Sequence, residues 1–253
     1  MLSAIVITKN EAKMIGDCLK SLQFADEIIV VDTGNTDRTN TIAVRWGAKV
    51  ITSGGSDYSQ FRNDGLVAAV NDWILYVDAD ERVTSQLQME ILLLTGKKDN
   101  QASAYSLPRA NFFLGRRMHY GGWGEDDRVI RLFQKRFLKH WKNPLHEEPV
   151  FEGEQGRLNN LLEHHSHRDL SSMLEKTLDF TAREACLRYE AGHPPLALWR
   201  FLRVMGTEFW HRFIRLSAWK DGPEGIIDGM FQVFNMFIIY ARLWELQQKQ
   251  KPI

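Results

Sequence analysis

The stretch WILYVDADERV, residues 73–83, runs apolar for five residues, then sets Asp78 and Asp80 on either side of an alanine, with Glu81 beside them. The apolar part reads as a strand buried on both faces, and the polar part as its tip. Three acids in four residues repel one another unless positive charge sits among them. Side chains two apart at a strand end point to the same side, so Asp78 and Asp80 can face one ligand. Their hard oxygens suit Mg2+ or Mn2+, which take one or two carboxylates together with water and phosphate oxygens. Ordinary solvent at a strand end is the competing reading, and D-x-D alone is a weak motif.

Working outward, SAIVIT (3–8), EIIVVD (27–32) and AKVIT (48–52) are similar β-branched runs. Helical stretches are predicted between them over residues 11–22, 36–46 and 58–71, with Thr36 as an N-cap and Gly47 as a C′ residue. This alternation implies a parallel sheet with right-handed crossovers, whose ligands bind beyond the carboxyl ends of the strands. Three strands bring polar residues to that edge: Thr8-Lys9-Asn10-Glu11, Asp32-Thr33-Gly34-Asn35 and Asp78-Ala79-Asp80.

The middle, residues 103–164, differs. AYSLP, RVIRLFQ and EEPVFEG read as strands of an α+β extension that finishes the sheet. From Leu170 the pattern is helical, interrupted at GHPP (192–195) and DGPEG (221–225). After Pro195 the spacing of Arg200, Arg203, His211 and Arg215 puts them on one helix face. In the last helix Asp228, Gln232, Asn235, Arg242 and Glu245 form a narrow polar stripe. Its longest unbroken apolar run, Met236 to Ala241, is far below the ~20 residues of a membrane span, so none is expected. This basic, Trp-rich pair either lies in a bilayer interface or packs on the main domain or a second subunit.

The whole chain has 253 residues, 44% hydrophobic and 25% charged, with a net charge of zero. That suits a globular protein with one large domain and an appendage. No global field recruits nucleic acid. Cys18 and Cys186 make no disulfide framework or metal spacing, which favours a reducing compartment. The apolar start, Leu2 to Ile7, is too short for a signal segment and reads as a first strand, so the protein is expected to stay in the cytoplasm.

Two other homes for D-x-D fit poorly. A haloacid dehalogenase carries it on the first strand with Thr or Val two residues beyond; here it is the fourth strand, followed by Arg82. An EF-hand loop needs a glycine that DADERVTSQLQME lacks. SAIVITKNEAKMIGDCLKSL, ADEIIVVDTGNTDRT, YSQFRNDGL, WILYVDADERV, GGWGEDDRVIRLF, LHEEPV and DGPEGIIDGMFQVFNMFIIYARLWEL together resemble the family-2 glycosyltransferases. Within that family they are similar to lipopolysaccharide core β-1,4-glucosyltransferases. The resemblance spans nearly the whole chain in motif order. It implies an α/β GT-A fold, a Rossmann-like nucleotide-diphospho-sugar transferase. The catalytic domain would cover 1–168, with a nucleotide half (1–100) and an acceptor half (101–168), and a helical extension would cover 169–253.

The resemblance also implies a UDP-glucose donor, a divalent cation (Mg2+ or Mn2+) and inversion at the anomeric carbon. The acceptor would be a lipid-linked core oligosaccharide at the cytoplasmic face of the inner membrane. It puts Asn10, Glu11, Asp32 and Gly34 at the nucleotide, and Arg62 and Asn63 at the diphosphate, with Arg62 paired to it or to Asp80. Asp78 falls at the ribose or a metal-bound water, and Asp80 at the metal with His146 as a further ligand. Glu81 is a supporting charge. Asp127 matches the general base of a W-x-P-D pattern in which Asp126 replaces the usual proline, and Trp123, Glu125 and Asp126 line the acceptor side. His164, in the HHSH tract, matches a position near the cleft. A family-2 transferase for peptide or capsular polymer acceptors, and a non-catalytic nucleotide-binding scaffold, stay open as alternatives.

Overall fold

The computed structural model describes residues 1–97, 102–124, 127–144 and 146–249. Strands β1 (Leu2–Thr8), β2 (Glu27–Asp32), β3 (Lys49–Thr52) and β4 (Trp73–Asp78) fall on the predicted apolar runs. They are parallel in the order β3-β2-β1-β4, so the winding reverses between β1 and β4. Ligand clefts of open α/β sheets lie at such a reversal. Thr8 pairs with Asp32 and Ile7 with Asp78, which sets the two acidic tips level on either side of β1.

The connecting helices are α1 (Ile15–Ser21), α2 (Thr39–Arg45) and α3 (Tyr58–Ala68). The first two start later than predicted, for a shared reason. The backbone N–H groups of Asn10, Glu11 and Ala12 donate to Asn35 Oδ1, Thr39 Oγ1 and Asp37 Oδ2. Thr36 is not an N-cap: its N–H and hydroxyl both turn to Asn10 Oδ1. The two loops clasp each other instead of extending their helices. Gly47, at φ +78°, ends α2 as predicted. In α3, a Cβ on Gly65 would sit 2.5 Å from Ile5 Cγ2, so only glycine lets this helix lie so close to the sheet.

Beyond β4 come β5 (Glu81–Val83), α4 (Ser85–Thr95), β6 (Ala104–Phe113), β7 (Arg116–Arg117) and β8 (Arg128–Gln134). They are followed by β9 (Leu138–Lys142), β10 (Glu148–Phe151), β11 (Gln155–Arg157) and β12 (Leu162–His167). The sheet continues from β4 through β8, β6, β12 and β5, while β9 and β10 pair separately. Side chains alternate between two cores. Leu2, Ala4 and Val6 pack with Leu19 and Leu87 on one face, and Ile5, Val31 and Tyr76 pack with Phe61 and Trp141 on the other. Each such fully buried Ile or Leu contributes about 1.5–3 kcal/mol.

The chain divides into two compact units, Met1–Ala110 with Glu125–His164, and Asn111–Gly124 with His165–Ile253. Residues 111–124, expected in the acceptor half of a 1–168 domain, thus cluster with the C-terminal helices. In that second unit α5 (Leu170–Glu190) and α6 (Leu198–Phe209) pack on α7 (Gly222–Lys249). Much of the polar stripe of α7 points inward. Asp228 accepts from Trp123 Nε1 at 2.6 Å and from Gln232, and Asn235 accepts from Thr177 at 2.9 Å. A wider π-type turn over Trp210–Arg215 breaks the spacing that placed Arg200, Arg203, His211 and Arg215 on one face. By length and composition alone the stretch Ala218–Lys249 could cross a membrane, against the expectation from its short apolar run. That is weak support for a span, since its polar stripe is used inside the unit.

Candidate active site

The tip of β4 answers the question its sequence poses: the positive charge among the acids is arginine. Arg131 Nη2 donates to Asp78 Oδ2, and Arg62 Nη2 donates to Oδ1 at 3.2 Å. The same Arg131 nitrogen donates to Glu81 Oε1 at 2.8 Å, and Glu81 Oε2 accepts the Asp78 backbone N–H at 2.8 Å. Arg109 extends the chain of charges. Its Nη1 lies 3.9 Å from Glu81, and its Nε and Nη2 fork the two carboxylate oxygens of Asp127 at 3.1 and 3.0 Å. At the other end Arg62 donates twice to Glu147 Oε1, at 2.9 and 2.7 Å, with its guanidinium over the rings of Trp141 and Tyr76. Seven side chains, from Asp127 to Glu147, therefore form one network under the strand tip.

Two expectations change. Arg62 pairs with Asp78 and Glu147 rather than with Asp80. Asp78 is a poor direct metal ligand, because each of its oxygens already faces a guanidinium. Glu81 is the supporting charge the sequence suggests, and it is fully buried. Burial works against the charge on Asp78, but Arg131 and Arg62 outweigh it and hold the carboxyl well below its usual range. Burial dominates at Glu81, with Asp78 adding to it against Arg131, and pushes its carboxyl up to about 7.

Asp80 stands apart from this network in its charge partner. His164 Nε2 lies 3.7 Å from its carboxylate, and β12 brings His164 opposite Glu81 in the strand register. Burial lowers the His164 pKa against the pull of Asp80, so the imidazole is held neutral at physiological pH. A carboxylate beside a neutral imidazole fits a divalent cation that draws its other ligands from water and a diphosphate. Among the described residues no three His, Cys, Asp or Glu side chains are grouped to hold a metal by themselves. The expected trio of Asp78, Asp80 and His146 is therefore not assembled. His146 is exposed at φ +58°, and its neighbour Glu147 is the residue that enters the network.

Across β1 the acid is handled differently. Asp32 accepts from the N–H groups of Gly34 and Asn35 at 2.8 and 2.6 Å and from Asn40 Nδ2 at 2.7 Å. Burial raises its pKa, these donors lower it, and the donors win. Gly34, at φ +106°, makes the turn that aims these groups. Asn10, at φ +57°, and Glu11 stand in the loop beside it, pinned through the clasp described above.

Asn63 uses both ends of its amide on the Trp141 backbone, accepting at 2.7 Å and donating at 3.0 Å. It fixes β9 against α3 instead of offering its amide to a donor. Trp123 belongs to the helical unit, where Asp228 holds its indole N–H and Ile227 and Phe231 pack nearby. Glu125 and Asp126 lie outside the described residues. Sequence reasoning missed Arg131 and Arg109, and gave no role to Glu147 beside His146. The available signal was a charged residue inside the buried strand RVIRLFQ, where Arg131 stands between Ile130 and Leu132. A hollow of about 310 Å³ beside Trp46, Asp26 and Lys49 lies at the start of β2 and takes in none of these side chains.

Residues 3–153 match the family described as glycosyl transferase family 2. The chain belongs to that family. This family-2 glycosyltransferase is 28% identical over 268 residues to an uncharacterized glycosyltransferase of Rickettsia felis, covering 100% of this chain and 92% of that one. It is 26% identical over 258 residues to the lipopolysaccharide core biosynthesis glycosyltransferase LpsC of Rhizobium meliloti, covering 96% and 92%. Among solved structures, glucosyl-3-phosphoglycerate synthase from Mycobacterium tuberculosis in complex with Mn2+, UDP and glucosyl-3-phosphoglycerate aligns with a TM-score of 0.44 at 16% identity, over 77% of this chain and 81% of that one. Membership accords with the α/β sheet and C-terminal helices seen here, and it implies a nucleotide-sugar donor and a glycan acceptor.

Proposed function

We propose that the chain transfers a hexose, glucose from UDP-glucose, with inversion onto a lipopolysaccharide core or similar lipid-linked glycan at the cytoplasmic face of the inner membrane. The carrying observation is the level pair of strand tips, Asp32 and Asp78, the second of them joined through Arg131, Glu81 and Arg109 to Asp127. The likeness to LpsC supports the acceptor class.

Asp32, with Gly34, Asn10 and Glu11 around it, receives the nucleoside. Asp78 meets the ribose, Arg62 and Arg131 supply positive potential toward the diphosphate, and Asn63 keeps the Arg62 helix in place. Arg62 Nη1 is buried without a hydrogen-bond partner, a donor suited to a phosphate oxygen. Asp80, beside His164, would hold a divalent cation, which when bound would supply positive charge to the diphosphate. Asp127 takes the proton of the acceptor hydroxyl as that oxygen bonds to the anomeric carbon and the sugar–diphosphate bond breaks, releasing UDP. The Arg109 fork on both oxygens orients the Asp127 carboxylate for this.

Purified protein is assayed for UDP release from UDP-glucose with Mn2+ and a core-oligosaccharide acceptor. Asp80→Asn and Asp127→Asn should each lower turnover by at least about 100-fold with the fold intact by circular dichroism. Normal turnover of Asp80→Asn removes the metal assignment. Absence of both UDP release and donor binding in the unaltered protein leaves the scaffold reading.

A further inference from the structure

In a chain of zero net charge, residues 198–220 carry five arginines and lysines against one glutamate. That glutamate, Glu208, is already paired to Arg212 at 2.7 Å. The same segment exposes its largest side chains. Trp199, Trp210 and Trp219 stand 53%, 54% and 56% exposed, and Leu198, Leu202 and Ile214 more so. On α6, Leu198 and Trp199 stand four and three residues before Leu202 and the exposed Phe209 seven after it, so they share the outward face, while the opposite face packs on α7. Cations sit directly on the indoles: Arg200 and Arg203 lie over Trp199 at 5.2 and 5.5 Å, and Lys220 over Trp219 at 5.6 Å. Large apolar side chains exposed together on one face mark a contact surface.

We infer that the segment Leu198–Lys220 docks on an anionic lipid surface, its tryptophans at headgroup level and its arginines and Lys220 on the phosphates. Amphipathic helices with a cationic rim and half-buried indoles take this position. The 12 residues of α6 span about 18 Å, too short to cross a hydrocarbon core of about 30 Å. A second copy of the chain is the worse occupant, since it would bring the same excess of positive charge against itself. The inference deepens the membrane-facing reading above and rests on it for the choice of surface.

The full-length protein is sedimented with vesicles of phosphatidylcholine alone or mixed with phosphatidylglycerol. It should bind only the anionic vesicles, with a blue shift of tryptophan emission, and be released by salt. Arg203→Gln with Arg215→Gln should weaken partitioning by about 30-fold. UDP-glucose hydrolysis, followed in parallel, should be unchanged in this double variant. Equal binding to both vesicle types, release by detergent alone, or a concentration-dependent dimer broken by Trp210→Ser would each overturn the docking. Loss of hydrolysis in the unaltered protein would strike the transfer reading and leave the vesicle result standing.

Discussion

Asp32 and Asp78 end the two strands that flank β1, level with each other, yet their carboxylates are held by different chemistry. Asp32 is satisfied by neutral donors two, three and eight residues away, in its own turn and the first turn of α2. Asp78 is satisfied by guanidiniums 16 and 53 residues away. A carboxylate on neutral N–H groups is a local turn device that keeps its oxygens oriented. One between arginines is part of a field shared with Glu81 and, through Arg109, with Asp127. The β2 side of the site is thus shaped by turn geometry, and the β4 side by long-range charge.

The largest test of that contrast is Arg131→Ala. It leaves Asp78 and Glu81 without their shared cation, one of them fully buried, and should cost about 3–5 kcal/mol in denaturant unfolding. Arg131→Lys should recover only part, because one ammonium lacks the spread of the guanidinium. A loss below about 1 kcal/mol would mean that the network is not a structural unit. Next in size, Asp32→Ala strands three donors that water can partly reach, and should cost about 1–3 kcal/mol in the same experiment. If it matches or exceeds Arg131→Ala, the distinction between the two tips fails.

The smallest effect is in acid. The folded-state pKa of Asp32 lies below its ordinary value of 3.8. The folded state then binds fewer protons than the unfolded state, so the stability from Asp32 is full above that value and lost as pH falls through the folded pKa. Asp32→Asn should flatten this limb of the stability–pH curve, measured by unfolding at stepped acid pH. An unchanged limb would assign the acid sensitivity to Asp78, whose shift has the same sign.

The same contrast explains what the sequence could show. Strands β1 and β4, and β2 over most of its length, are buried on both faces, so each is a nearly uniform apolar run with little ambiguity about its ends, while β3 at the sheet edge is short and partly exposed. The Asp32 turn lies within nine residues, and Gly34 and Asn35 announce it. The Arg131 partner of Asp78 follows from strand β8 lying antiparallel beside β4, which no local pattern specifies. Strand β12 carries LEHHSH, which reads as a metal tract, whereas in the fold its first three residues are a rung opposite β5 that sets His164 beside Asp80. The clasp between Asn10 and Thr36 likewise hides from helix propensities, because both helix starts are surrendered to contacts about 26 residues apart.

The pairing of β12 with β5 also sets where the protein can be cut. The family match ends at residue 153, before β12 begins. A fragment trimmed to that border would strip the neighbour from β5 and open an unpaired edge next to the buried Glu81, an invitation to intermolecular strand addition. Sparing residues through 164 keeps that rung, so the smallest soluble catalytic piece should be longer than sequence homology alone would delimit.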